Sequence, residues 1–223
     1  NIWDDFEKHL SDISIKINSG KRVIDPFPLL GLLDNPGLQR KCAETYSSLN
    51  YSQSSPSSKI EPYLNHSKMR IGYFSSDFHN HATMHLMAEL FEAHNKEKFE
   101  IFAFSFGPNK NDSWRDRVKS SFDEFLDVSL VSDYQVTLLA KEKEIDIAID
   151  LKGYTHNSRP KIFSEGCAPI QVSYLGYPGT MGAKFIDYLI ADPILIPKKE
   201  QKYYSEKIVY MPDSYQVNMS KRT

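Results

Sequence analysis

From about residue 68 onward, short runs typical of β-strands alternate with longer runs typical of helices. The strand-like runs are at 69–74, 99–106, 145–151, 170–175, 185–190 and 207–210. Helix-like runs lie between them at 83–94, 112–125, 133–143 and 160–165. Strands and helices that alternate in this way form βαβ units, in which parallel strands share one sheet. The chain is therefore predicted to be an α/β protein with a doubly wound, mainly parallel sheet.

The run at 145–151 has a pattern of its own. Isoleucine and leucine alternate there with Asp146, Ala148 and Asp150. Such alternation is typical of a strand that exposes one face or lies near a sheet edge. The two aspartates are expected to be solvated or paired with lysines, and a carboxylate pair for acid/base chemistry is the alternative.

Composition excludes several classes of function. The net charge is −2 and the sequence pI is near 6.4, which excludes wholesale binding to nucleic acid or to a membrane surface. Two cysteines, Cys42 and Cys167, form neither a disulfide framework nor a zinc pattern. No apolar run approaches the roughly 20 residues that span a bilayer, and no signal peptide opens the chain. The cytoplasm is therefore the expected location.

Polar or glycine-rich loops follow four of the predicted strands, at 75–85, 106–111, 152–159 and 176–182. If the strands are parallel, these loops share the rim at the carboxyl ends of the strands. Open α/β sheets bind their ligands in a crevice at that rim. The sequence thus predicts a binding site built from these loops.

His81 lies directly before the predicted helix at 83–94. An imidazole has a pKa near 6.5 in water and can accept a proton from a hydroxyl near neutral pH. A helix N-terminus favours its neutral form. His81 is therefore a candidate general base, and a histidine that only caps the helix is the alternative. His79, His81 and His85 as a metal cluster is a further alternative, although no Cys, Asp or Glu completes the set.

Two of the loops contain glycines at informative places. Gly153 is expected to let the backbone approach a ligand closely. In the loop at 176–182, Pro178 followed by Gly179 suits a type II turn with positive φ at the glycine. Gly182 is expected to leave a second position open beside the backbone amides, so the loop suits an anion or a sugar, although many plain turns look the same.

At these loops the sequence resembles the protein O-linked N-acetylglucosamine transferase family, including its bacterial and SPINDLY-like relatives. The resemblance covers about residues 68–213 and rests on four blocks. They are RIGYFSSDF at 70–78 with His81 following, DLKGYT at 150–155 with Arg159 downstream, APIQVSYLGYPGTMG at 168–182 with Asp187 and Tyr188 after it, and YSEK at 204–207 with YMP at 210–212.

The resemblance implies the Rossmann-like N-terminal lobe of a GT-B glycosyltransferase. It implies a nucleotide-sugar donor, commonly UDP-N-acetylglucosamine, a protein Ser or Thr acceptor, inverting displacement, and no metal or other cofactor. By position, His81 is implied to be the catalytic residue, as the proposed base. The residues implied to bind substrate are Asp77, Thr83, Lys152, Gly153, Tyr154, Thr155, Arg159, Tyr177, Pro178, Gly179, Thr180, Met181 and Gly182.

The same resemblance divides the chain into three parts. Residues 1–58, with a serine-rich linker at 51–58, resemble the helical segment that follows tetratricopeptide-type repeats. Residues 66–213 resemble the catalytic lobe, and 214–223 is a tail toward a nucleotide-binding lobe. That lobe and the repeats are not in these 223 residues. We therefore expect a piece of a longer protein, with little or no transferase activity by itself.

Three positions depart from the family pattern. Asp146 stands where animal members have a histidine near the active site, Ala82 follows His81 in place of proline, and Lys152 replaces an asparagine. These departures keep two alternatives open, a protein O-fucosyltransferase that uses GDP-fucose and a non-catalytic binding module that retains the lobe. An unrelated α/β protein, such as a flavodoxin-like domain, is disfavoured by the length of the block at 168–182.

Overall fold

The computed structural model describes residues 4–51, 60–64 and 66–220. Three helices come first, namely α1 (Phe6–Asn18), α2 (Pro26–Leu32) and α3 (Pro36–Tyr51). Seven strands and four helices follow in the order β1 (Met69–Ser75), α4 (Ala82–Glu92), β2 (Phe99–Ser105), α5 (Ser113–Ser121), β3 (Glu124–Asp127), α6 (Asp133–Glu142), β4 (Ile147–Asp150), α7 (Lys161–Ser164), β5 (Ile170–Ser173), β6 (Tyr188–Ala191) and β7 (Lys207–Tyr210). A 3₁₀-helix, Lys198–Tyr203, lies between β6 and β7.

The seven strands form one sheet in the order β3-β2-β1-β4-β5-β6-β7, and each neighbouring pair is parallel. This confirms the predicted doubly wound α/β fold. From β1 the chain builds outward to β3, and it then returns to place β4 on the other side of β1. The strand order therefore reverses between β1 and β4, and at such a switch point the loops above the strands part to leave a crevice.

Helices cover both faces of the sheet. On one face α4 and α5 pack through Met87, Phe91 and Val118, and on the other α6 and α7 pack through Val136 and Phe163. The neighbouring residues Tyr73 and Phe74 of β1 contribute to opposite clusters, because successive side chains of a strand point to opposite faces. Burial on both faces explains the nearly continuous apolar character of the strands.

Local capping fixes where three of the helices begin. His81 caps α4, Asp112 caps α5 by accepting the Arg115 N–H, and Ser132 forms a capping box with Gln135 at the start of α6. Each cap satisfies an amide that the helix itself leaves without a partner. Each of these helices follows the carboxyl end of a parallel strand, so the three caps lie at the carboxyl-end rim of the sheet.

Two expectations from the sequence are wrong. The helix predicted at 112–125 ends at Ser121, and β3 follows at the sheet edge, paired with β2. β4 is not near an edge but in the middle of the sheet, between β1 and β5. Asp150 at its end is 2% exposed rather than solvated. A short alternating pattern cannot distinguish an exposed strand face from a buried face that carries hydrogen-bonded carboxylates.

The segments flanking the sheet pack against it. Ala43 of α3 joins the cluster on the α6–α7 face, whereas Tyr215, Val217 and Met219 of the tail pack on the α4–α5 face. The predicted domain boundaries stay predictions. Residues 52–58 of the predicted linker and 221–223 of the tail lie outside the described residues. In the part of the chain that is described, no helix has the length and apolar character needed to cross a membrane.

Candidate active site

A buried ion pair bridges the switch point. Lys152, two residues after the end of β4, places its Nζ 2.6 Å from Oδ2 of Asp77, which follows β1. Both residues are only 6% exposed. The other carboxylate oxygen of Asp77 accepts a hydrogen bond from the Ser76 hydroxyl at 2.9 Å. The two loops that border the crevice are thereby joined by two opposite charges that water barely screens.

His81 lies beside this pair at the start of α4. Its Nδ1 accepts the Thr83 N–H at 3.2 Å, faces the Thr83 hydroxyl at 3.1 Å, and is 3.6 Å from Oδ2 of Asp77. A nitrogen that accepts the cap hydrogen bond carries no proton, so the neutral ring bears its proton on Nε2. The sequence left open whether His81 caps the helix. It does, and its side chain is still 41% exposed.

The surroundings of His81 lower its pKa. Burial is the largest cause, the Asp77 carboxylate opposes it, and the charges of Lys152, His79 and Lys110 add to the lowering. A ring with a lowered pKa is neutral at pH 7. His81 therefore presents a neutral imidazole, with Nε2 left for a ligand.

The other two histidines of this loop have partners of their own, and the His79 ring also contacts the His81 ring, with centroids 5.7 Å apart. His79 is buried, with Nδ1 3.2 Å from the Asn80 carbonyl oxygen. His85 bonds the Asn80 side chain through Nε2 at 2.8 Å and lies against Trp114, with ring centroids 4.1 Å apart. Among residues 4–51, 60–64 and 66–220, no three His, Cys, Asp or Glu side chains form a group suited to a metal ion.

The loop at 177–182 lies in the core. Tyr177 is 2%, Thr180 4% and Met181 0% exposed. The buried carboxylate of Glu206 holds the loop by accepting the Thr180 hydroxyl and the Met181 N–H, each at 2.7 Å. Glu206, in the fourth sequence block, thus fixes the shape of the third. Of the loop residues implied to bind substrate, Pro178 and Gly182 are half-buried and the others are buried.

The glycines of this loop accommodate protein rather than an open space. Positive φ occurs at Gly182 (+56°) and not at Gly179, so the predicted type II turn with positive φ at Gly179 is wrong. A Cβ at Gly182 would lie 2.4 Å from the Glu44 N of α3, and one at Gly179 would lie 2.8 Å from the Tyr177 hydroxyl. The position expected to be open at Gly182 is therefore occupied by helix α3.

The loop after β4 packs in the same way. Gly153 has φ +54°, and a Cβ there would lie 2.4 Å from the Cβ of Tyr177. The Tyr154 hydroxyl donates to the Met181 carbonyl at 2.7 Å, which ties the two predicted binding loops together. Half-buried Thr155 donates to the Lys152 carbonyl at 2.8 Å. Gly153 thus allows the two loops to pack closely against each other.

Two of the residues singled out from the sequence act away from His81. The Arg159 guanidinium bonds Asp133 and the carbonyls of Val128 and Val131, around the first turn of α6. Asp146 lies at the amino end of β4, opposite the rim, and its carboxylate accepts the Arg70 N–H at 2.8 Å. The departure from the family pattern at Asp146 is therefore not next to the crevice.

Sequence reasoning missed a buried polar pair beneath the crevice. Asp150 and Ser173 are register partners at the ends of β4 and β5. Oδ1 of Asp150 accepts the Lys152 N–H at 2.9 Å, while its Oδ2 and the Ser173 hydroxyl are buried without a hydrogen-bond partner among the described residues. Burial raises the pKa of Asp150 to about 6. Only the register of the neighbouring strands β4 and β5 reveals this pair.

A cavity of about 910 Å³ lies elsewhere, between α3, α7 and the β5–β6 connection. Its lining includes Arg40, Tyr51, Gln171 and Phe185. Of the residues implied to bind substrate, its lining contains Gly182 alone. The candidate site is therefore placed by the switch point and the chemistry of its side chains, and not by cavity volume.

Comparison with known proteins points to one family. The sequence model of the family described as Glycosyl transferase family 41 matches residues 42–222. A probable UDP-N-acetylglucosamine–peptide N-acetylglucosaminyltransferase SEC of Arabidopsis thaliana is 46% identical over 151 residues, 68% of this chain and 16% of that protein. The UDP-N-acetylglucosamine–peptide N-acetylglucosaminyltransferase of Caenorhabditis elegans is 36% identical over 152 residues, 68% of this chain and 13% of that protein.

A solved structure resembles this one. An O-GlcNAc transferase mutant of Thermobaculum terrenum superposes with a TM-score of 0.77 at 27% identity, over 82% of this chain and 35% of that one. A probable SPINDLY N-acetylglucosaminyltransferase of Petunia hybrida is 28% identical, over 65% of this chain and 16% of that protein. The chain thus spans about a sixth of the length of the curated relatives that it matches.

Proposed function

Because the chain belongs to glycosyl transferase family 41, we propose that it is the N-terminal catalytic lobe of a protein O-N-acetylglucosaminyltransferase. The membership confirms the resemblance found in the sequence, and the seven-stranded parallel sheet is a Rossmann-like lobe of the GT-B kind. The proposed reaction transfers N-acetylglucosamine from UDP-N-acetylglucosamine to Ser or Thr hydroxyls of proteins. The carrying observation is that two of the blocks shared with the family meet at the switch point, where Asp77 of one block lies beside His81 and pairs with Lys152 of the other.

In this reaction the acceptor hydroxyl attacks the anomeric carbon, and the bond from that carbon to the nucleoside diphosphate breaks with inversion. The proton of the acceptor hydroxyl passes to an oxygen of the departing diphosphate. The leaving group gains negative charge. The N-terminus of α4 opens at the crevice, and its dipole favours an anion there. Electrostatic stabilisation of this kind needs no metal ligand from the chain.

The sequence predicts that His81 is a general base. With Nδ1 occupied by the Thr83 cap, Nε2 carries the proton of the neutral ring. Nε2 accepts a proton only after its own proton has been lost or moved to Nδ1, which breaks the cap. We therefore assign His81 the orienting role, in which Nε2–H donates a hydrogen bond to the sugar or the acceptor.

The rest of the proposal concerns the whole protein. A second lobe holds most of the nucleotide, helical repeats guide the protein acceptor, and the protein acts in the cytoplasm. The relatives named above are described as users of UDP-N-acetylglucosamine, so GDP-fucose is not favoured as the donor. Lys152, one of the departures that motivated a non-catalytic module, forms an ion pair at the crevice and so does not disrupt it.

The test uses the full-length protein that contains this chain. UDP-N-acetylglucosamine and GDP-fucose are offered separately with a cell lysate as acceptor, and both nucleoside diphosphate release and protein labelling are measured. We expect labelling from UDP-N-acetylglucosamine alone. His81→Ala should reduce turnover more than tenfold, whereas His85→Ala, which removes an exposed histidine one helical turn away, serves as the matched control.

Two results would count against the proposal. No release from either donor by a folded protein favours a binding module. Equal loss of activity in His81→Ala and His85→Ala removes His81 from its assigned role, because a general disturbance of α4 would then explain both.

A further inference from the structure

We propose that Lys152 is a positioning residue for His81. By holding the Asp77 carboxylate, Lys152 keeps Nδ1 of His81 free of a proton and so leaves the ring N–H on Nε2, the nitrogen that faces substrate in the proposed function. The inference rests on that function only for the use made of Nε2–H. The coupling of the three side chains itself is measurable without any donor or acceptor.

One oxygen atom is the centre of the arrangement. Oδ2 of Asp77 lies 2.6 Å from Lys152 Nζ and 3.6 Å from His81 Nδ1. The other oxygen, Oδ1, is taken by the Ser76 hydroxyl. Lys152 and His81 therefore face the same carboxylate oxygen, and Lys152 is the closer of the two.

His81 Nδ1 has three possible partners, which are the Thr83 N–H, the Thr83 hydroxyl and the Asp77 carboxylate, and one position for a proton. It either accepts the Thr83 N–H, at the present 3.2 Å, or carries a proton and donates it to Oδ2 of Asp77 after a small approach. In the second state the helix cap is lost and Nε2 becomes a free acceptor. The two states give His81 opposite hydrogen-bonding character toward a substrate.

Lys152 favours the first state for two physical reasons. It neutralises Asp77, so the carboxylate no longer needs a proton donor from His81. Its own positive charge also opposes a second positive charge on the nearby ring. Because the side chains of Lys152 and Asp77 are 8% and 9% exposed, solvent and salt weaken these interactions little.

Other charged groups near His81 are less suited to this control. His79 and Lys110 also lower its pKa, while Asp112, on the loop before α5, bonds the Asn80 N–H. Lys110 is exposed, so salt screens it. Lys152 is the buried cation bonded to the carboxylate that faces Nδ1.

The test measures the protonation of His81 directly. The full-length protein is labelled with ¹³C and ¹⁵N in histidine, and the His81 signals are assigned by their loss in His81→Gln. The pH titration and the ¹⁵N shifts, which report the tautomer, are compared in wild type, Lys152→Met, Lys152→Arg and Asp77→Asn. The signals of the other histidines report whether each variant keeps its fold.

We expect the two neutralising variants to shift His81 in opposite directions. Lys152→Met should raise the pKa of His81 and move its neutral ring toward Nδ1–H, since Asp77 is then free to accept the proton. Asp77→Asn should lower the pKa and keep Nε2–H. Lys152→Arg retains the charge and should leave the tautomer as in wild type. The acid limb of the pH–rate profile for sugar transfer should move with the titration.

Lys152→Met leaves Asp77 buried without its partner, which destabilises proteins and can prevent folding. The double variant Asp77→Asn/Lys152→Met carries neither charge. It is used in place of Lys152→Met if that variant does not fold. The His81 pKa must then be higher in the double variant than in Asp77→Asn alone.

The proposal is overturned if the His81 titration does not change when the lysine charge is removed, either from wild type or from Asp77→Asn. A shifted His81 titration with an unchanged pH–rate profile for sugar transfer also overturns it. If the His81 titration responds to Lys152 in a protein that transfers no sugar, the proposed function is overturned instead.

Discussion

Asp150→Asn tests how much free energy is stored in a single buried carboxyl beneath the crevice. Asp150 is 2% exposed, and its Oδ2 has no hydrogen-bond partner among the described residues. Burial raises its pKa from 3.8 to about 6, although the Lys152 and Gly153 amides and the Lys152 charge oppose this rise. Asparagine has nearly the same shape and keeps a carbonyl oxygen to accept the Lys152 N–H.

The sign and size of the effect follow from the two pKa values. The folded chain binds the Asp150 proton more tightly than the unfolded chain, so the stability that this group provides is fully present below pH 3.8. It is lost as the pH rises through about 6. The difference of about 2 pKa units corresponds to about 3 kcal/mol in the free energy of unfolding. The carboxyl is fully buried, so solvent screening does not reduce this value.

The assay is urea unfolding of wild type and Asp150→Asn between about pH 4 and pH 8. Subtraction at each pH removes the other titrating groups, which the two proteins share. The free energy of unfolding of the variant, relative to that of wild type, should rise by about 3 kcal/mol from the acid to the alkaline end of this range. Most of the change should occur before about pH 7. Val172→Ala, a core change on the neighbouring strand, should give a difference that is flat with pH. A flat difference for Asp150→Asn as well would refute the reasoning.

Three further predictions concern packing, cysteine chemistry and the limits of the chain. Gly182→Ala should destabilise the fold by about 2 kcal/mol or more, because φ is +56° and the new Cβ would meet the α3 backbone. Gly31→Ala, in open space on α2, should be neutral or stabilising in the same denaturation assay, and equal losses would contradict the packing argument. Burial raises the pKa of the Cys42 thiol to about 11 and that of Cys167 further, so iodoacetamide at pH 8 should label both slowly until urea unfolds the chain. Rapid labelling of the native protein would show that these thiols are accessible. The 223-residue chain alone should transfer no sugar from UDP-N-acetylglucosamine, and measurable transfer would place the whole active site within it.

Much of the fold was predictable because its signals are local. Apolar periodicity located the strands and most helices, and polar loops after successive strands indicated a shared rim. β3 was missed because its four residues gain strand structure only by pairing with β2. β4 was expected to expose one face or to lie near an edge because Asp146 and Asp150 alternate with apolar residues, whereas backbone amides of Arg70 and Lys152 bind these carboxylates in the middle of the sheet.

The candidate site was likewise predictable where its signals are local and not where it depends on distant residues. The position of His81 at a helix start followed from the change of periodicity after residue 81, and the structure places it there as the cap. Gly153 and Gly182 have positive φ, yet the space beside them is filled by Tyr177 and by α3. The contact that decides the proton on His81 joins Asp77 and Lys152, which are 75 residues apart.

The sequence alone determined the α/β class, the rim that carries the site and the resemblance to a glycosyltransferase family. Each of these depends on neighbouring residues, whose spacing and turn chemistry are visible in the chain. Only the tertiary structure decided which strand is central, which loop glycines contact protein, and which charges pair. Those features depend on distances between segments that are far apart in sequence, and the burial they create raises the pKa of Asp150.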